Sequence, residues 1–262
     1  MIQLSTVLTQ LKQQRNSTMT NLFRILELKV LEPLLYLARP MFSTEEEYYA
    51  AVMNWRTRVR AVFGRTPTAS PESSEREAEF YLRKISQKDV FLEYGCGSCG
   101  LAVHVINVLD KGNYVGCDIS EGALTKGRSI VSENPSLEKK APVLILFKDL
   151  AELSSKLGDR KFDWIVLNSV FTHLSEDKII ECLKFFKSIL ATNGVVVGDF
   201  SVPRLSAGSF SRRGIDYYYS IENILALAQK SNIYPKQIDG FDVNQSTVYE
   251  SVIFEFRTNV GE

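Results

Sequence analysis

From residue 88 onward, short β-type runs alternate with helical ones, and this alternation constrains the fold more than any other feature of the chain. "DVFLEY" precedes "CGLAVHVINVL", "NYVGCD" precedes "EGALTKGRSIV", and "PVLILF" and "FDWIVLN" follow. The series continues with the helical "EDKIIECLKFFKSIL", the strand "GVVVGDF" and the helical "IENILALAQKS". Apolar strands separated by amphipathic helices predict an α/β fold with a doubly wound, mainly parallel sheet, because crossover helices cover both of its faces. The chain closes differently, since "IYPKQIDGFDV" and "VYESVIFEFRT" have no helix between them. Successive strands without a crossover pair antiparallel, so the sheet is expected to end in a hairpin.

Residues 1–88 read as a helical extension, with a linker near 65–74, and residues 89–262 as the α/β domain. In the extension Phe23, Leu26, Val30, Leu34 and Leu37 form one apolar stripe, with Pro33 as a break. Ser43 and Glu46 have capping-box spacing ahead of a helix carrying Tyr48, Val52, Trp55, Val59 and Val62, closed by Gly64. Ser70 and Pro71 are placed to open a further helix through Ile85. The stretch "LFRILELKVLEPLLYLARPMF" is interrupted by Arg24, Glu27, Lys29 and Glu32. A span needs about 20 mostly apolar residues, so stable membrane insertion is not expected; a cap over a ligand site is preferred to a membrane or partner face. Lys+Arg and Asp+Glu both number 31 in 262 residues, which gives no net basic field for nucleic acid. Four cysteines in a chain this long make no disulfide framework, so the expected location is cytoplasmic.

The loop "FLEYGCGSCG" leaves the first strand for the first helix, where sheets of this kind bind ligands. Cys96 and Cys99 are a lone C-x-x-C; without a second matched pair of ligands they are expected to pack rather than bind zinc, and no metal is expected. Gly95, Gly97 and Gly100 fit both a nicotinamide dinucleotide and S-adenosylmethionine. Asp118, at the end of the second strand, would accept from the ribose of either. Glu93 discriminates between them: a carboxylate beside the loop repels a pyrophosphate but attracts an ammonium and a sulfonium.

"VFLEYGCGSCGLA", "YVGCDIS", "FKDL", "FDWIVLNSVFTHLS" and "ATNGVVVGDF" resemble, in order and spacing, the motifs of class I S-adenosylmethionine-dependent methyltransferases, and the resemblance covers roughly residues 80 to 258. It implies a seven-stranded sheet with the last strand antiparallel and S-adenosylmethionine as cofactor. Carried over residue by residue, it implies that Glu93, Gly95, Gly97 and Gly100 line the methionine end. Asp118 would hold the ribose hydroxyls and Ile119 would pack on the adenine. Asp149, followed by Leu150, would meet the adenine amino group, and Asn168 would lie beside the methionine and sulfonium. Asp149 also suits a helix cap, and Asn168 a turn.

Methyl transfer is an in-line displacement that depends chiefly on positioning, with a base needed where the acceptor arrives protonated. His173, in "SVFTHLS" after the fourth strand, is the first candidate base, with a backbone contact by Ser175 as its other reading. Asp199 is the second candidate and equally suits a structural acceptor; His104 reads as packed or surface. Two pieces are placed to roof an acceptor: the extension, with Tyr48, Tyr49, Trp55 and Arg56, and the connection "SVPRLSAGSFSRRGIDYYY". Within the second, Arg212 and Arg213 either grip an anion or are solvated, and Tyr217 to Tyr219 either meet an aromatic acceptor or pack against the next helix. The expectation is methylation of a small molecule on oxygen or nitrogen. The alternatives are an NAD-dependent oxidoreductase and a catalytically silent binding module. "NSVF" lacks the proline pair of base-methylating enzymes, so nucleic acid is not expected as a substrate.

Overall fold

The computed structural model describes residues 39–44, 47–54, 71–203, 210–213, 216–238 and 249–259. The chain divides into two compact units, Met1–Tyr48 and Tyr49–Glu262. In the first, Arg39–Met41 form a 3-10 turn. Thr44 Oγ1 accepts from the Glu47 N–H at 3.1 Å, while the Glu47 carboxylate accepts from the Ser43 N–H at 3.0 Å. The cap is therefore built one residue beyond the Ser43–Glu46 pair expected; both pairs have suitable spacing, so sequence alone does not separate them. The stripe from Phe23 to Leu37, Trp55, Arg56, the helix from there to Gly64 and the linker up to Ser70 lie outside the described residues.

The second unit begins with helical residues 49–54 and continues with α1 (Pro71–Leu82). There follow β1 (Phe91–Tyr94), α2 (Ala102–Val108), β2 (Tyr114–Asp118), α3 (Glu121–Ser132), α4 (Pro135–Lys139), β3 (Val143–Leu146), α5 (Leu150–Leu157) and β4 (Phe162–Leu167). A 3-10 turn (Phe171–His173), α6 (Glu176–Ile189) and β5 (Leu190–Pro203) come next. The chain then forms β6 (Phe210–Arg213), β7 (Asp216–Tyr219), α7 (Ile221–Lys230), β8 (Tyr234–Ile238) and β9 (Tyr249–Arg257). Seven strands make one sheet in the order β3-β2-β1-β4-β5-β9-β8. The pairs from β3 to β5 are parallel, while β9 runs antiparallel to both β5 and β8. The expected doubly wound sheet with an antiparallel last strand is thus present. The order reverses between β1 and β4, so a cleft opens at their carboxyl ends.

Burial follows from the strand composition. Phe91, Leu92, Ile165, Val166, Val196 and Val197 are all fully enclosed, as strands covered on both faces require. Against one face, Tyr81 of α1 stands edge-on to Phe91 and Trp164, with ring centroids 6.1 and 6.4 Å away. That packing, with Ala78 also buried, makes α1 part of the sheet's own core. The compact unit includes α1, which precedes the division expected near residue 88. The inward face of α1 is completed by residues far along the chain. The connection after β5 also holds more structure than expected, since β6 and β7 pair as a separate antiparallel hairpin.

Candidate cofactor and acceptor site

The glycine loop is strapped to the end of β2. Gly95 and Cys96 donate backbone N–H bonds to the Cys117 carbonyl at 2.8 and 3.0 Å. Gly97 donates to Asp118 Oδ2 at 2.8 Å, and Ser120 donates to Asp118 Oδ1 at 2.7 Å. One carboxylate thereby fixes both the loop and the entry to α3. A carboxylate has about four acceptor positions, so hydroxyl donors can still be received. Gly95 and Gly97 take positive φ values of 78° and 53°. Space above Gly97 is open, with nothing within 4 Å of where a Cβ would stand, which is the clearance a ligand approaching the backbone needs.

The cysteines pack, as expected. A Cβ on Gly116 would lie 2.9 Å from Cys96 Sγ, and one on Gly127 would lie 2.6 Å from Cys99 Sγ. Each of these two thiols fills the place of a missing side chain, and all four cysteines are buried and outside any disulfide. No group of three or more His, Cys, Asp or Glu among the described residues could hold a metal ion.

Carboxyl groups dominate the electrostatics. Glu93 is 4% exposed and accepts from the Tyr114 hydroxyl at 2.5 Å. Burial pushes its pKa up to about 8, against the help of Tyr114 and with the repulsion of Glu77 and Asp118 added. Glu77, on α1, is pushed up to about 7 by burial and by Asp199. Asp118 and Asp199 are also raised, each chiefly by burial of the carboxyl and in part relieved by backbone N–H donors. None of these four has an ion pair with Lys or Arg among the described residues. Such a site disfavours further anions and is short of a cation.

The remaining positions divide into two groups. Asp149 caps α5 by accepting from the Glu152 N–H at 2.8 Å, and Leu150 is the first residue of that helix. Ile119 is half-buried beside Asp118. At the end of β4, Asn168 Oδ1 accepts from the Tyr81 hydroxyl at 3.2 Å, and its Nδ2 donates to Glu77 at 3.4 Å. Ser169 then takes φ 54° and donates its N–H to Asp199 Oδ1 at 2.5 Å, while Ser251 Oγ donates to Asp199 Oδ2 at 3.4 Å. With both oxygens engaged, Asp199 holds the turn that carries His173. His104 is half-buried within α2, away from these groups in the fold.

His173 Nδ1 lies 3.0 Å from Asp216 Oδ1 of β7, a charge-pairing distance that lacks hydrogen-bond alignment. The Tyr49 ring stands 6.2 Å from the His173 ring. Asn54 Oδ1 accepts from Ser120 Oγ at 2.9 Å and from the Gly122 N–H at 3.3 Å. Tyr217, Tyr218 and Tyr219 are buried. Tyr219 donates to the Leu174 carbonyl at 2.5 Å and meets Phe200 edge-on, while Tyr218 meets Tyr249. The side chains of Arg212 and Arg213 lie outside the described residues. Glu77, Asn54 and Asp216 were not expected at the site; the available signal was Glu77 falling at i+3 from Ser74 and i−4 from Tyr81 on α1.

The fold and loop define a class. Residues 92–196 match the family model described as methyltransferase domain. Among solved structures, magnesium protoporphyrin IX methyltransferase from Synechocystis PCC 6803, crystallised with S-adenosylmethionine, is 14% identical, with a TM-score of 0.61 over 82% of this chain and 98% of that one. The glycopeptide N-methyltransferase MtfA is 13% identical, with a TM-score of 0.56 over 70% of this chain and 95% of that one. The CcbJ methyltransferase from Streptomyces caelestis is 17% identical, with a TM-score of 0.52 over 70% and 89%. No protein of curated function matches the chain by sequence. Residues 92–196 thus match a methyltransferase-domain model, and the fold is that of the class I S-adenosylmethionine-dependent methyltransferases.

Proposed function

We propose that this protein transfers the methyl group of S-adenosylmethionine to a small-molecule acceptor, on oxygen or nitrogen. The observation that carries the proposal is the Glu93 carboxyl, buried beside the glycine loop with no Lys or Arg partner among the described residues. A carboxyl group at that place can ionise against an ammonium such as the cofactor's amino-acid end carries, and has no cation or donor to offer a pyrophosphate. Solved structures of the same fold include a porphyrin methyltransferase and a glycopeptide methyltransferase, which supports a small-molecule acceptor.

When bound, the cofactor supplies an electrophilic methyl on a positively charged sulfur. Glu93, Gly95, Gly97 and Gly100 are assigned to its methionine end, Asp118 to the ribose hydroxyls, Ile119, Asp149 and Leu150 to the adenine, and Asn168 to the region of the sulfur. Residues 49–54 span about 7.5 Å of helix. They carry Tyr49 to His173 and Asn54 to the Ser120 turn, so this stretch is assigned as the roof. Excluding water favours a reaction in which charge disappears.

His173 is assigned as the base that takes the acceptor's proton, and Asp216 as the carboxylate that steadies the ring as it becomes charged. The 3.0 Å separation leaves Asp216 within reach of the ring, and such contacts often tighten only once substrate is bound. Asp199 is assigned the structural role, since one oxygen holds the turn after β4 and the other accepts from Ser251 on β9. Free, buried thiols suit a reducing compartment, and no described helix is long and apolar enough to cross a membrane. Calorimetric titration with S-adenosylhomocysteine tests the proposal: binding by the wild type and its loss in Asp118→Ala are expected, whereas no binding by the wild type refutes it.

A further inference from the structure

Helix α1 brings a second buried carboxylate to the cofactor loop. Its enclosed face consists of Ser74, Glu77, Ala78 and Tyr81, while Glu75, Arg76 and Glu79 point to solvent. Ser74 Oγ stands 3.1 Å from where a Cβ on Gly100 would lie, so this face rests directly on the glycine loop. One turn further on, Tyr81 and Glu77 grip the two ends of the Asn168 amide. Asn168 Nδ2 at 3.4 Å is the one hydrogen-bond partner of Glu77 among the described residues. Arg76 of α1 is exposed, and in the turn after it Arg83 pairs with Glu79 and Lys84 with Glu255.

A carboxyl group 7% exposed, set against Asn168 at the end of β4 and without a Lys or Arg partner among the described residues, is expensive to bury unless a ligand completes it. The groups facing it are Glu93 from β1, Asp199 from β5 and Tyr81 from its own helix, all acidic or neutral. Without a cation, burial and mutual repulsion favour the protonated forms of these carboxyls; a positive group set among them favours ionisation.

Resting on the methyltransferase reading above, we propose that Glu77 is a cofactor-binding residue: together with Glu93 it seats the ammonium of the cofactor's amino-acid end and releases its proton to solvent as that group arrives. Helix α1 is then part of the binding site, and Asn168, held at both ends by α1, is positioned by the same contact.

The test is calorimetric titration of the full chain at pH 7 with S-adenosylhomocysteine, repeated in buffers of different ionisation enthalpy to count protons released. 5′-Methylthioadenosine, which lacks the amino-acid end, is titrated in parallel. Glu77→Gln is expected to release about half a proton less than wild type with S-adenosylhomocysteine, because a group titrating near 7 is about half protonated there. Its affinity should fall at least about tenfold, the loss of one charge-assisted contact. Affinity for 5′-methylthioadenosine should be the same in both proteins. Glu77→Asp, one methylene shorter, should keep the proton release while binding S-adenosylhomocysteine more weakly. Unchanged affinity and proton release in both variants overturn the inference. Failure of the wild type to bind S-adenosylhomocysteine overturns the cofactor reading beneath it.

Discussion

Replacing Glu93 by Gln should make the free protein more stable and the cofactor bind less well. The carboxyl group is enclosed next to Gly116 of β2, keeps one strong contact, from Tyr114, and has its pKa raised from an ordinary 4.5 to about 8. Because the folded value exceeds the unfolded one, its contribution is fully present below about pH 4.5 and is lost as pH rises to about 8. At pH 7 the unfolded chain has ionised and the folded chain has not. The penalty is then roughly 2.5 pH units at 1.36 kcal/mol each, or about 3 kcal/mol. It levels off near 5 kcal/mol above pH 8, on the same order-of-magnitude basis. The amide of Gln has the same shape, can accept from Tyr114 and does not titrate, so Glu93→Gln avoids the penalty. For a chain of this size about 3 kcal/mol corresponds to a rise in Tm on the order of 6–12 °C. Thermal unfolding of the ligand-free proteins at pH 5, 7 and 9 should show a gap that is small at pH 5 and widens with pH. Titration with S-adenosylhomocysteine should show at least about tenfold weaker binding. A gap that is absent or flat across the range would show that Glu93 is ionised and already paired, and would refute the reasoning.

Three further outcomes follow from the same geometry. Asp118→Ala strands the N–H groups of Gly97 and Ser120 and removes the ribose acceptor, so S-adenosylhomocysteine affinity should fall by about 100-fold or more in calorimetry. His173→Ala should lower turnover by roughly 10²-fold and Asp216→Asn by roughly tenfold, measured with an acceptor identified from a panel of amines and phenols, with S-adenosylhomocysteine affinity unchanged in both. Gly127→Ala sets a Cβ 2.6 Å from Cys99 Sγ and should cost about 1–3 kcal/mol in denaturant unfolding; Cys99→Ala in the same chain should recover much of it, and additive effects would contradict the packing role of the thiol.

What was legible in the sequence had local causes. The runs "FLEY", "YVGCD" and "FDWIVL" are apolar enough to be central strands, and the helices between them carry their own periodicity, so sheet type followed. The missing helix between β8 and β9 was enough to predict an antiparallel end. Glu93 and Asp118 stood out because each closes a strand at the ligand edge. What stayed hidden depends on distant partners. "PESSEREAEFYL" contains five charged residues and looks like a solvated helix, yet Glu77 is completed by Asn168, 91 residues later. Asp216 lies in a four-residue strand too short to distinguish from a loop, and it gains its role only when the hairpin brings it to His173. Asp149 has two readings because one carboxylate can both cap a helix and face a ligand.

The central claim is that the cleft between β1 and β4 was built for the ammonium of an amino-acid head rather than for a pyrophosphate. Thermal unfolding of the full chain with saturating S-adenosylhomocysteine, and separately with NAD, tests it most directly. A ligand at 100 times its Kd stabilises by about 2.7 kcal/mol, which for this chain length is a rise of roughly 5–11 °C. That rise is predicted with S-adenosylhomocysteine and not with NAD. A rise with NAD alone would contradict the account, because it would place two phosphate charges beside Glu93.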